Sequence, residues 1–108
     1  MACFLPGGGI DAGETAEQAV EREGKEECGL VLSAGSRIYH AIEICYSIAN
    51  DAYYEKDSMF LEARVVGITP AVELDHELLW LTPIKAISAL THESHREAVR
   101  LLHRGKCL

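Results

Sequence analysis

The sequence has few of the features that mark membrane-bound, secreted or nucleic-acid-binding proteins. No apolar run approaches the roughly 20 residues that a membrane-spanning helix needs. No secretory leader is visible, because Met1 is followed almost at once by Leu5, Pro6 and Gly7. Ten Lys and Arg residues face seventeen Asp and Glu, and the formal charge of −7 argues against a nucleic-acid polymer as partner.

Cysteine is also scarce and unpatterned. The four cysteines at positions 3, 28, 45 and 107 contain no CxxC pair, which favours reduced thiols of a cytoplasmic protein over a disulfide framework. No internal repeat, low-complexity tract or linker divides the 108 residues. With 48% hydrophobic and 25% charged residues, the composition predicts one globular domain over residues 1–108.

What the sequence has in excess is acid near its start, in the stretch GGGIDAGETAEQAVEREGKEECGL of residues 7–30. Seven of the seventeen acidic residues lie between positions 11 and 27, offset only by Arg22 and Lys25. The series Thr-Ala-Glu-Gln at 15–18 has the form of a capping box, so Thr15 is predicted to begin a helix. Gly29 is predicted to end it in the left-handed conformation.

The glutamates of this helix have a preferred side. At about 100° per residue, Ala16, Ala19 and Val20 share one face, which their apolarity turns inward. The same face continues, one and two turns later, with Glu23, Glu26 and Glu27. Three neighbouring carboxylates repel one another, and a bound Mg²⁺ or Mn²⁺ would relieve that repulsion. Spacing alone leaves open an ordinary solvated acidic face.

The glycines allow two further interpretations, both weaker. Gly7, Gly9 and Ala12 fit a relaxed dinucleotide-binding fingerprint, but Pro6 precedes them and no full βαβ unit surrounds them. The absence of GK[ST] excludes a Walker loop. A plain tight turn is the simplest alternative.

Strands and then helices are predicted after this segment, which indicates a mixed α/β layered domain. Alternation predicts a strand at 37–48, and a polar turn at 50–57 separates it from a partner strand at 58–66. Short strands are predicted at 30–34 and 77–81. Thr82 and Pro83 are predicted to start a helix that ends near residue 90. A last helix is predicted between Thr91 as its cap and Gly105 as its stop.

Residues 8–30 resemble the Nudix box, G-x5-E-x7-R-E-U-x-E-E-x-G-U, in which U is a bulky aliphatic residue. Eight of the nine specified positions match, and Gly24 stands where the family carries an aliphatic. Residues 75–80 and 91–99 resemble the C-terminal part of bacterial, MutT-like members. The matching box positions are Gly8, Glu14, Arg22, Glu23, Glu26, Glu27, Gly29 and Leu30.

The resemblance implies an α/β/α sandwich with a mixed sheet, and metal-dependent hydrolysis of a diphosphate bond in a nucleoside diphosphate linked to another group. It implies that Glu23, Glu26, Glu27 and the Gly7 carbonyl bind Mg²⁺ or Mn²⁺. Of these, Glu23 or Glu27 would also help deprotonate the attacking water.

Supporting roles follow from the same resemblance. Arg22 would orient Glu23, and Glu14 would hold the loop or reach the metal through water. Gly8 would let the backbone approach closely. One further acid from a loop often joins such a site, and Glu73, Asp75 and Glu77 are the alternatives.

Only residues 1–4 precede the glycine turn, whereas family members place strands there. The expectation is an N-terminally shortened domain with an exposed strand edge, which favours a homo-oligomer. Its substrate would be a nucleoside triphosphate, oxidised or not, a nucleotide sugar or a dinucleoside polyphosphate. The alternative is a non-catalytic nucleotide- or metal-binding module, or an inactive fragment.

Aromatic and histidine residues outside the box allow other roles. Trp80 is predicted to lie in the core, with a base-stacking platform as the alternative. Tyr53 and Tyr54 are predicted to lie in an exposed turn or to stack on a nucleobase. Three residues apart, His92 and His95 allow a metal pair.

Overall fold

The computed structural model describes residues 2–70 and 77–106. These residues form an α+β fold, which confirms the predicted class. The elements, in chain order, are α1 (Ala16–Cys28), β1 (Leu30–Ser47), β2 (Ala52–Ile68), α2 (Pro83–Ala89) and α3 (Glu93–Lys106).

Helix α1 begins and ends where its sequence predicts. The Thr15 hydroxyl accepts the Gln18 N–H at 3.1 Å, and the Gln18 side chain accepts the Thr15 N–H at 2.9 Å, so both halves of the capping box form. Gly29 ends the helix at φ 67°, and its N–H bonds back to carbonyls of the last turn. Ala19 is buried, as the predicted inward face requires.

The sheet is a long antiparallel hairpin in the described parts of the chain. Strand β1 pairs with β2 from Leu30 opposite Ile68 to Ser47 opposite Ala52. The two strands predicted at 30–34 and 37–48 are one strand, with register shifts where the prediction had a break. Each strand keeps one edge without a partner strand among residues 2–70 and 77–106.

The predicted polar turn at 50–57 is wrong, because residues 52–57 belong to β2. The actual turn covers 48–51 and includes Asp51 at φ 47°, a left-handed conformation that Asp tolerates. The polar residues instead find cross-strand partners, such as Lys56 opposite Glu43, on an exposed part of the hairpin. Sequence polarity therefore marked solvent exposure rather than a turn.

The helices pack on the hairpin and enclose a small core. Both α1 and α3 lie against β1, and α2 lies against α3. The core is built from small and aliphatic side chains, and Trp80, predicted to be buried, is 70% exposed. The buried apolar residues in the described parts are Ala19, Leu30, Ala41, Leu90 and Ala98.

Predictions for the second half of the chain are partly confirmed. Thr82 caps α2, with Pro83 as its first residue. The strand predicted at 77–81 is wrong: these residues have no regular structure and pair with neither described strand. Helix α3 starts at Glu93 rather than beside Thr91, and Gly105 lies inside it.

Two further findings concern the cysteines and the length and apolarity of the helices. Cys3, Cys28 and Cys45 are free thiols, and Cys107 lies outside the described residues. Within the described ranges, no helix has both the length and the apolarity needed to cross a membrane.

Candidate functional site

Arg22 is the centre of a polar network between α1 and the glycine turn. Its Nε and Nη2 donate to the two carboxylate oxygens of Glu14 at 2.9 and 3.0 Å. Its Nη1 donates to Glu23 at 2.8 Å and to Glu26 at 3.1 Å. Its Nη2 also reaches the Gly9 carbonyl at 2.8 Å. One guanidinium thus joins three of the predicted site carboxylates and the turn.

Charge pairing stabilises the ionised forms in this network. The hydrogen bonds from Arg22 hold the pKa of Glu14 below its ordinary value, and the Asp11 N–H, at 3.0 Å, adds to the effect. The same contacts, with Glu14 and then Glu23, raise the pKa of Arg22 above its ordinary value. Glu14 is therefore a charged carboxylate that pairs with Arg22.

The turn approaches the helix at two glycines. The Gly7 N–H donates to Glu27 Oε1 at 2.9 Å. A Cβ atom at Gly8 would lie 2.4 Å from Glu23 Oε1, so only glycine allows this carboxylate so close to the backbone. The sequence predicted a role for the Gly7 carbonyl, whereas the contact that the structure shows is made by the Gly7 N–H.

The donor chemistry of the site fits a hard divalent cation, since Glu23, Glu26 and Glu27 offer carboxylate oxygens. In the structure, however, each of these carboxylates is hydrogen-bonded to a donor of the protein itself. Glu23 and Glu26 share Arg22 Nη1, and Glu27 accepts the Gly7 N–H. Among residues 2–70 and 77–106, no three His, Cys, Asp or Glu side chains are arranged to hold a metal ion. Metal binding would require these carboxylates to turn toward a common point.

The comparison with known families decides the relationship. A family profile described as NUDIX domain matches residues 2–102. The chain belongs to the Nudix family. No curated protein gives a significant match to the chain. Nudix membership supports hydrolysis of nucleoside diphosphate derivatives in general, and it leaves the substrate and the metal open.

The one departure from the Nudix box is filled from another element. Gly24 is buried, and a Cβ atom there would lie 2.5 Å from Leu32 Cδ1. Leu32 of β1 therefore occupies the space that an aliphatic side chain at position 24 would need. The absence of a side chain at position 24 is therefore compensated by the side chain of Leu32 from the neighbouring strand.

The additional acids predicted for the Nudix site remain unplaced or lie on the surface. Glu73 and Asp75 lie outside the described residues. Glu77 is exposed, in the irregular segment that precedes α2. Tyr53 and Tyr54 lie beside the hairpin turn, where they line a shallow hollow of about 360 Å³ together with Ser47, Asn50 and Ala52.

Sequence reasoning singled out His95 but did not foresee its contact beside the site. His95 Nδ1 accepts the Leu5 N–H at 3.1 Å, two residues before Gly7. His92 lies beside it, with ring centroids 5.2 Å apart, but these rings pack against Phe4 and belong to no metal cluster in the described chain. No local signal could have revealed the contact, because ninety positions separate its partners.

Proposed function

We propose that this Nudix domain hydrolyses the diphosphate bond of a nucleoside diphosphate linked to another group, with Mg²⁺ or Mn²⁺ held by Glu23, Glu26 and Glu27. The observation that carries the proposal is the gathering of box carboxylates around Arg22 and the glycine turn. Solvated surface charge would need no such convergence on one guanidinium. The family match over residues 2–102 supports the same chemistry.

Each residue of the network has a distinct task in this scheme. A bound cation would neutralise charge on the diphosphate and lower the pKa of the attacking water. Arg22 orients Glu23 and limits repulsion among the carboxylates before the metal arrives. Glu27 or Glu23 accepts the proton of the water. The open backbone of Gly7 and Gly8 lets the diphosphate approach the helix.

A non-catalytic binding module is the second candidate, and one observation favours it. Arg22 already compensates Glu23 and Glu26, so the described residues have a stable arrangement without a cation. A nucleoside triphosphate, oxidised or not, or a nucleotide sugar is the proposed ligand in either case. A cytoplasmic location belongs to the same proposal, and neither a membrane nor a nucleic-acid polymer is a proposed partner.

A nucleotide panel separates the two functions. We expect release of phosphate, pyrophosphate or nucleoside monophosphate that depends on Mg²⁺, and a melting temperature that rises with Mg²⁺ concentration. Turnover below the background rate, together with a metal-dependent rise in melting temperature, would identify a binding module. Absence of both would contradict the metal site itself.

The substitution Glu27→Gln tests the assignment of residues. The amide oxygen of Gln can still accept the Gly7 N–H, so the turn should stay in place while the negative charge is lost. We expect kcat to fall about 100-fold or more and the metal-induced rise in melting temperature to disappear. Glu17→Gln is the matched control, because Glu17 lies on the same helix and pairs with Arg37. A full metal response in Glu27→Gln would show that the site is elsewhere.

A further inference from the structure

Residues 3–7 form an irregular strap, bent at Pro6, that runs from the start of α3 to the end of α1. Alternate backbone N–H groups along the strap donate to side chains near these two helix ends. Cys3 donates to the Thr91 hydroxyl at 2.8 Å, and the Thr91 N–H returns a bond to the Cys3 carbonyl at 2.8 Å. Leu5 donates to His95 Nδ1, and Gly7 donates to Glu27 Oε1.

The His95 ring is fixed by aromatic neighbours on several elements. Phe60 of β2 meets it edge-on, with centroids 5.3 Å apart, and Phe4 of the strap lies at 6.3 Å in a similar geometry. His92 packs against it from the preceding turn of the chain. The imidazole is half-buried among these rings, so its Nδ1 presents a fixed acceptor to the strap.

We propose that His95 is a positioning residue for the metal site: by accepting the Leu5 N–H it holds the strap so that Gly7 meets Glu27. The proposal rests on the proposed function, in which Glu27 is a metal ligand. Only one residue separates the two anchored N–H groups. Loss of the bond at Leu5 therefore frees the backbone that approaches Glu27.

The bond requires a particular form of His95. Nδ1 accepts a hydrogen bond only in the neutral ring that carries its hydrogen on Nε2. Burial, and then the nearby charges of His92 and Lys56, lower the pKa of His95 to about 4, against a smaller opposite effect of Glu43. At neutral pH the acceptor is therefore present, and acid converts it into a donor that faces the Leu5 N–H.

Two polar substitutions distinguish positioning from packing. The side-chain oxygen of His95→Asn stands near the place of Nδ1, whereas that of His95→Gln stands near the place of Nε2. We expect His95→Asn to keep the protection of the Leu5 and Gly7 amides against hydrogen exchange. In His95→Gln we expect that protection to fall about tenfold or more. His92→Asn is the control, since it removes a neighbouring imidazole but not the bond to Leu5.

Metal affinity and pH supply the functional readout. A titration with Mn²⁺ at pH 7 should show binding weakened about tenfold in His95→Gln and close to wild type in His95→Asn. As the pH falls below about 4, wild type should lose protection at Leu5, while His95→Asn keeps it because the amide does not titrate.

The outcomes separate this proposal from the proposed function. Equal protection at Leu5 and Gly7 in the Asn and Gln variants would overturn the positioning role. So would loss of protection at Leu5 with unchanged protection at Gly7 and unchanged Mn²⁺ affinity. If wild type binds no Mn²⁺, the metal site is refuted, and exchange at Gly7 still tests the strap without metal.

Discussion

The glycine turn with α1 and the outer half of the hairpin differ in what they expose. Glu14, Glu23 and Glu26 each accept a hydrogen bond from Arg22, and Glu27 accepts one from the Gly7 N–H. Along the hairpin, large apolar side chains face solvent, with Ile44 70%, Tyr53 76% and Ile48 89% exposed. The residues that we propose for the Nudix chemistry therefore lie in one short segment, which its bond to His95 ties to α3. The outer half of the hairpin, by contrast, leaves apolar surface uncovered.

The largest difference between these two regions should come from removing the centre of the charged network. Arg22→Ala leaves Glu14, Glu23 and Glu26 without their common cation, so we expect Mg²⁺ affinity or kcat/KM to fall about 10- to 100-fold. Arg37→Ala is the control, since Arg37 makes a similar two-bond pair with Glu17 outside the site. Equal losses of activity in Arg22→Ala and Arg37→Ala would show that the Arg22 network matters no more for activity than an ordinary surface ion pair.

A smaller effect should follow at the contact between α1 and the hairpin. Gly24→Leu should destabilise the protein by about 1–3 kcal/mol in urea unfolding, because Leu32 already fills the space. Adding Leu32→Ala should restore much of the loss, and the double-mutant cycle should give a coupling energy well above its error. Stabilisation by Gly24→Leu alone would show that Leu32 moves aside freely.

Acid should lower the stability of the protein in two steps, first through His95 and then through Glu17. His95 has a lowered pKa of about 4 against an ordinary 6.5, so the unfolded chain binds the proton first and stability declines as pH falls from 6.5 to 4. The hydrogen bonds from Arg37 lower the pKa of Glu17 to about 2, so its contribution is lost between pH 4.5 and 2. Urea midpoints across this range should show both declines, with the upper one absent in His95→Asn. An unchanged upper decline would assign it to another group.

The smallest effect on stability should come from the hairpin surface. Ile44→Lys places a cation opposite Glu55, so stability should change by no more than about 0.5 kcal/mol. Light scattering should show concentration-dependent association of wild type that this variant reduces and Ile44→Leu does not. Wild type that stays monomeric at high concentration would contradict the predicted homo-oligomer.

The features predicted correctly from the sequence depend on short chain separations. The capping box of Thr15 joins residues three apart, and the left-handed stop at Gly29 is decided within one turn. The spacing of Glu23, Glu26 and Glu27 follows from helix geometry. The match to the family box extended this local pattern to a fold class, and the family match over residues 2–102 confirms that step.

The features predicted wrongly or left open depend on partners distant in sequence. Apolar neighbours placed Trp80 in a buried strand, but burial and pairing need a second element that the described chain does not place there. Whether the space beside Gly24 is empty or filled was left open by the sequence, because nothing in its own helix indicates that Leu32 occupies it. Residues 52–57 looked like a turn because polarity along one strand does not show what lies opposite.

The strap has a consequence for the order of folding. Its bonds join residues 88 and 90 positions apart, whereas the hairpin and α1 form from neighbours in the chain. Closing so long a loop has a larger entropic cost than closing a turn, and its partners Thr91 and His95 are synthesised long after the box. Helix α1 therefore acquires its carboxylates early, but Gly7 is secured against Glu27 only when α3 has docked. The proposed metal site is completed at the end of folding, so a nascent chain carries the whole box before its turn is anchored.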